Sequence, residues 1–143
     1  MIEVVIVSAD PSNLSILGSE PDLRVCAIEP NDFEQTVTQV AAYEPNIIII
    51  DDSNEAINVD ILSHVCALRC PDAQLLVLLD SDSSPDFNML KSAGFKVRGY
   101  INHDQRPFLA KAVRVINAGE SWLPRKLVAE MLDYFLELES NLL

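Results

Sequence analysis

Glycine is scarce, with 4 in 143 residues, and none of it is arranged as a phosphate-cradling loop. Basic residues are also thin, 10 Lys and Arg against 22 Asp and Glu, for a net charge of −12. Such a chain repels phosphate backbones and anionic lipid, which argues against direct nucleic-acid contact by this segment. Cysteine is limited to Cys26, Cys66 and Cys70, an odd count with no partner at zinc-like spacing. Cys66 and Cys70 fall one helical turn apart and read as small core residues in a reducing cytosol, not as a disulfide or metal pair. No apolar stretch reaches membrane-spanning length, and Asp10-Pro11 interrupts the first apolar run too early for a secretory signal. The expectation is a cytoplasmic protein with no membrane contact, no cofactor and no metal. Internal repeats, low-complexity tracts and long linkers are missing too, and the length suits one domain with a sizeable core.

What the chain does have is short, unbroken apolar runs. Val4 to Val7, Ile47 to Ile50 and Leu75 to Leu79 do not alternate, the pattern of strands covered on both faces in a parallel sheet. Leu23 to Ile28 and Gly99-Tyr100-Ile101 are weaker candidates. Between them, helical spacing appears in four places. Phe33 to Tyr43 carries Phe33, Val37, Val40 and Ala41. Ile57 to Arg69 carries Ile61, Leu62, Val65 and Leu68. Phe87 to Ala93 and Pro107 to Ala118 follow, with Pro107 suited to a first turn and Gly119 to a stop. Five alternations of strand and helix predict a doubly wound α/β sandwich, a five-stranded parallel sheet with helices on both faces and right-handed crossovers. The first crossover is short, because Asp10 to Leu23 leaves only about two turns before Gly18 and Pro21.

In such a sheet chemistry gathers past the carboxyl ends of the strands. The residues to inspect are Ser8-Ala9-Asp10, Asp51-Asp52-Ser53, Leu79-Asp80-Ser81 and Asn102-His103-Asp104. Asp51 and Asp52 have two readings: anion chemistry, or caps on the helix that follows. Asp10 before Pro11 reads as a turn or cap, and His103-Asp104 as a solvated pair. Ser53 fills the third place of Asp51-Asp52-Ser53, so a phosphatase-type Asp-x-Asp is not met. No Cys-His or Ser-His spacing suggests a nucleophile either, and an enzyme is not indicated.

Over residues 1 to about 120 the chain resembles a two-component response regulator receiver domain, flavodoxin-like in fold. EPNIIIIDD is similar to that family's phosphoacceptor strand, RGYINHD to its Gly-Tyr-apolar-apolar-Lys stretch, and VVIVSADP to its opening strand and acidic pair. The tail AGESWLPRKLVAEML is similar to the end of receivers of the NarL/FixJ (LuxR-type) branch, where a DNA-binding domain follows a linker helix. The expectation is that this chain does not itself carry that output domain. The resemblance implies an aspartate that accepts a phosphoryl group with the help of magnesium, which needs hard oxygen ligands near octahedral geometry. Asp51 stands at the phosphoacceptor position. The acidic pair falls on Ser8 and Ala9, with Asp10 one residue late. The Thr or Ser that grips the phosphate falls on Leu79 or Asp80. The Lys falls on His103, beside Tyr100. The expected domain is therefore an atypical pseudo-receiver with its metal ligands, hydroxyl and cation replaced. A histidine kinase partner is doubtful, since the short first helix would form part of the docking face.

Residues 121 to 143 read as a separate linker or dimerisation helix opened by Pro124. Val128, Met131, Phe135, Leu138 and Leu142 follow coiled-coil-like spacing, widened by Leu127, Leu132, Tyr134 and Leu136. The seam suits a homodimer, docking of an output domain, or packing back on the sheet. The functional expectation is a transcription-regulator receiver that signals by protein–protein contact and dimerisation. Two alternatives stand beside it. One is a conventional phosphoacceptor using Asp51, with magnesium held by Asp10 or Asp52. The other is a small-molecule sensor whose ligand fills a vacated pocket at Ser8, Ala9 and Leu79.

Overall fold

The computed structural model describes residues 1–53, 58–80 and 84–142. The apolar runs become five strands, β1 (Ile2–Val7), β2 (Leu23–Ile28), β3 (Ile47–Asp51), β4 (Gln74–Leu78) and β5 (Val97–Ile101). All pair in parallel in the order β2-β1-β3-β4-β5. Ile47 to Ile50 are buried on both sides of the sheet, which is why the central strand reads as isoleucine without a break.

The crossovers form α1 (Pro11–Leu17), α2 (Phe33–Ala42), α3 (Val59–Arg69), α4 (Phe87–Ser92) and α5 (Leu109–Asn117), with α6 (Arg125–Leu142) after them. A 3-10 helix over His103–Phe108 precedes α5. On one face, Val4, Ile6, Ile49, Leu76 and Leu78 meet Leu17 of α1 and Leu109, Val113 and Ile116 of α5. On the other, Val5, Ile48 and Leu75 meet Val37 and Val40 of α2 and Leu62 and Cys66 of α3. Beside that second core, Val77, Leu79 and Tyr100 pack with Leu90 of α4 and Leu127 of α6.

A few of the acids and amides are used at helix starts. Asp10, Asp32, Asn58 and Asp86 each accept a backbone N–H from the first turn that follows, at 2.9 to 3.1 Å. Because Asn58 caps α3, the expected capping by Asp51 and Asp52 is not what these residues do. The start of α3 also differs, and Ile57 lies outside the described residues. Its inward side is Leu62, Ser63 and Cys66, while Ile61 and Leu68, seven apart on one stripe, face solvent. Pro107 does not open α5. Asn102 and Gln105 form a reciprocal capping box that starts helical turns earlier, leaving Pro107 within the 3-10 helix. Gly119, at φ +94°, ends α5 as its position suggested.

The segment after 120 packs on the sheet. Trp122 N–H donates to Arg98 O at 2.9 Å, and Tyr100 N–H donates to Trp122 O at 3.1 Å, a single parallel bridge along β5. Gly99 makes room for it, since a Cβ there would lie 2.6 Å from Ile116 Cδ1 and 3.1 Å from Trp122 Cβ. Leu127, 2% exposed, then seats α6 against α4. Tyr134 joins Phe87 and Phe95, with ring centroids 5.3 and 5.4 Å away. The expected seam is thus divided. Met131 faces inward beside Leu127, Val128 is half-buried, Phe135 leans on Phe95, and Leu138 and Leu142 are exposed.

Candidate functional site: the closed carboxylate at the end of β3

Asp51 ends β3 with only 4% of its surface exposed. One oxygen, Oδ2, accepts from Ser8 Oγ at 2.7 Å and from Asn13 Nδ2 at 2.9 Å. The other, Oδ1, accepts from Ser53 N–H at 3.0 Å. Asn13, fully buried on the inner side of α1, also donates to Ser8 Oγ at 3.0 Å. Its amide oxygen takes a hydrogen bond from the Arg106 guanidinium, carried in by the 3-10 helix. The amide orientation is forced. A carboxylate only accepts and a guanidinium only donates, so Asn13 must turn its nitrogen to Asp51 and its oxygen to Arg106. A cation therefore stands one side chain away from the buried anion.

The expected site residues fall around this centre unevenly. Ser8 is a direct partner of Asp51 and also receives Asp10 N–H at 3.0 Å. Ala9 and Asp10 are exposed; Asp10 caps α1, and its carboxyl is held below the usual range by the Ser12 backbone N–H, with Arg106 adding a smaller effect. Asp52 is half-buried, and desolvation first, then the charges of Asp80, Asp51 and Asp60, push its carboxyl up. Leu79 is buried in the α4-side core and Asp80 is exposed. His103 is exposed and does not supply the cation. Arg106, three residues on, is the cation of the site, its side chain directed from the 3-10 helix to Asn13 of α1. Tyr100 is buried with no hydrogen-bond partner for its hydroxyl, and burial raises its phenol above the ordinary value.

Asn13 and Arg106 did not stand out in the sequence. Asn13 had a signal, being the polar residue one turn before Leu17 on the buried stripe of α1. Arg106 had only its place as the one Lys or Arg between the end of β5 and Pro107.

Magnesium does not fit these residues. Both oxygens of Asp51 are engaged by N–H and O–H donors, Ser8 gives its hydroxyl proton to Asp51, and Asn13 presents an NH2 group. Arg106 adds a positive charge where a dication would need anionic oxygens. Among the described residues, no group of three or more His, Cys, Asp or Glu is placed to hold a metal ion. Of the residues expected to border a vacated pocket, Ser8 and Leu79 are covered and Ala9 is exposed. A groove of about 480 Å³ lies elsewhere, bordered by Tyr100, Asn102, Gln105 and Trp122.

Parallel order 2-1-3-4-5, a carboxylate at the end of the central strand and a helix following α5 together define the architecture. The chain has the receiver-domain fold. It is similar over 95% of its length to 99% of a LuxR-family two-component response regulator from Aurantimonas sp. SI85-9A1, with TM-score 0.73 and 15% identity. The isolated REC domain of RcsB from Salmonella enterica serovar Typhimurium matches 93% of this chain over 99% of its own, with TM-score 0.71 and 17% identity. A pilus assembly-related protein from Burkholderia pseudomallei K96243 shares the fold at TM-score 0.65 and 20% identity, covering 87% of this chain and 95% of that one. No protein-family model matches the chain, and no curated protein does. No helix among the described residues is long and apolar enough to cross a membrane.

Proposed function

We propose that the chain is the regulatory receiver domain of a two-component-type regulator of the LuxR/NarL kind, and that it signals by protein–protein contact without phosphorylation of Asp51. The observation that carries this is the enclosure of Asp51, 4% exposed and held by three hydrogen bonds. Its two oxygens are engaged by Ser8, Asn13 and Ser53, and Arg106 supplies positive charge behind Asn13. In-line attack on a phosphoryl donor needs an open approach to a carboxylate oxygen, and burial closes that approach here. Opening this site would break three hydrogen bonds to a buried carboxylate, and each charge-assisted bond contributes about 1.5–3 kcal/mol. The network stabilises one arrangement of α1, β3 and the 3-10 helix in place of a switch between two. Similarity to LuxR-family regulators supports the transcriptional setting, while the pilus assembly-related neighbour shows that the fold also serves other proteins.

The test is intact-mass spectrometry after incubation with magnesium and acetyl phosphate, with Asp51→Asn as control. The expected result is no phosphoryl adduct on either protein. An adduct on the wild type alone would make Asp51 a working acceptor and end this proposal.

A further inference from the structure

The α6 helix has a second apolar row that its docking on the domain leaves uncovered. Leu127, Met131 and Tyr134 face the body. Turned roughly 130° around the helix, at 100° per residue, lie Arg125, Val128, Leu132, Leu136 and Glu139, within an arc of roughly 80°. Leu132 is 57% and Leu136 61% exposed, Arg125 and Glu139 are exposed, and Val128 is half-buried.

This row is symmetric about Leu132. Val128 and Leu136 lie four residues either side of it, and Arg125 and Glu139 seven either side. A base closes one end and an acid the other. If a second α6 is laid antiparallel with its Leu132 on this one, Val128 meets Leu136 of the other copy. Each Arg125 then meets a Glu139, twice, through one self-complementary patch. A parallel pair would set Arg125 against Arg125 and Glu139 against Glu139.

An independent feature points the same way. The charges on α6 oppose its own dipole: Arg125 and Lys126 occupy the first turn, no acid does, and the last turn holds Glu139 and no base. Bases at an amino end and acids at a carboxyl end are unfavourable on an isolated helix. Antiparallel pairing corrects this, placing each Arg125 beside the negative end of the other helix and each Glu139 beside its positive end.

We infer that this flank of α6 is the binding surface for a second copy of the chain, forming a two-fold antiparallel helix pair centred on Leu132 with reciprocal Arg125–Glu139 contacts. This gives the contact-based function a surface and rests on that reading only for its purpose. A single helix pair buries less than the roughly 800 Å² per partner of a standard interface, so association is weak and concentration-dependent.

Sedimentation velocity on the full chain, from about 10 μM to about 1 mM, covers the range where such small contacts form. The wild type is expected to shift from monomer to dimer across that range. Leu132→Glu is expected to remain monomeric throughout. Arg125→Glu and Glu139→Arg are each expected to weaken the dimer about tenfold, because each brings two like charges together. An equimolar mixture of these two variants is expected to regain wild-type dimerisation, since the mixed pair has both contacts complementary. These residues are exposed, and circular dichroism checks that each variant keeps its fold. A monomer at every concentration, a dimer indifferent to Leu132→Glu, or a mixture no better than either variant alone would each overturn the inference. None of these outcomes alters the intact-mass result, so the two proposals fail separately.

Discussion

The carboxyl end of β3 and the flank of α6 are built on opposite terms. At Asp51, directional donors from β1, α1 and the β3 loop close on both carboxylate oxygens, and Arg106 balances the charge from behind. Along α6, Leu132 and Leu136 stay in water although nearby Leu127 is wholly covered. The first region is closed by internal hydrogen bonds, whereas the second leaves apolar surface uncovered. The contrast teaches that a receiver fold can enclose the carboxylate at the end of its central strand while leaving an apolar row of an appended helix in water.

The largest expected effect separates the two rows of α6. Leu127→Ala removes the residue that seats the helix and is expected to cost about 3 kcal/mol, as buried leucine truncations do. Leu132→Ala, five residues on, is expected to change monomer stability by less than about 0.5 kcal/mol. Urea unfolding of dilute protein measures both, and equal losses would erase the distinction between covered and open rows. At the other region, Asn13→Ala takes one donor from Asp51 and strands Arg106, with an expected loss of about 2 kcal/mol in the same assay. A neutral result there would mean that the amide only fills space.

The smallest effect concerns Asp52, beside the closed site. Its carboxyl is raised above 3.8, chiefly by desolvation, so the ionised form disfavours the folded state. That penalty is absent below the unfolded value near 3.8 and grows as pH climbs through the higher folded value. Asp52→Asn is therefore expected to raise Tm by about 1–2 °C at neutral pH, a modest gain because the group is partly solvated. The gain should vanish in acid. A gain that persists below pH 3.8 would place its cause elsewhere.

The sheet was legible because parallel strands buried on both faces demand unbroken apolar runs, and Ile47 to Ile50 have no other comfortable setting. The short α1 was legible from Gly18 and Pro21, and the end of α5 from Gly119. Asp51 could be placed because it ends the central strand. What surrounds it could not, since Asn13 bonds it from 38 residues away and Arg106, 55 residues away, reaches only Asn13, both brought there by tertiary packing. His103 drew attention by its residue type, yet the start of a 3-10 helix turns it outward and brings Arg106 in. Helical spacing alone also could not say which of the two apolar rows on α6 would face the sheet. Leu127 and Leu132 are equally greasy, and only the position of Phe87 and Phe95 decides between them.

The bridge between Gly99 and Trp122 has a bearing on solubility. A parallel sheet ends in a row of unpaired amides and carbonyls that invites other strands to add on. Trp122 takes up Arg98 O and Tyr100 N–H from that row and lays an indole beside β5. The stretch leading into α6 therefore caps part of the open side of the sheet, and the same few residues that tether the helix leave fewer edge groups free to pair with another strand.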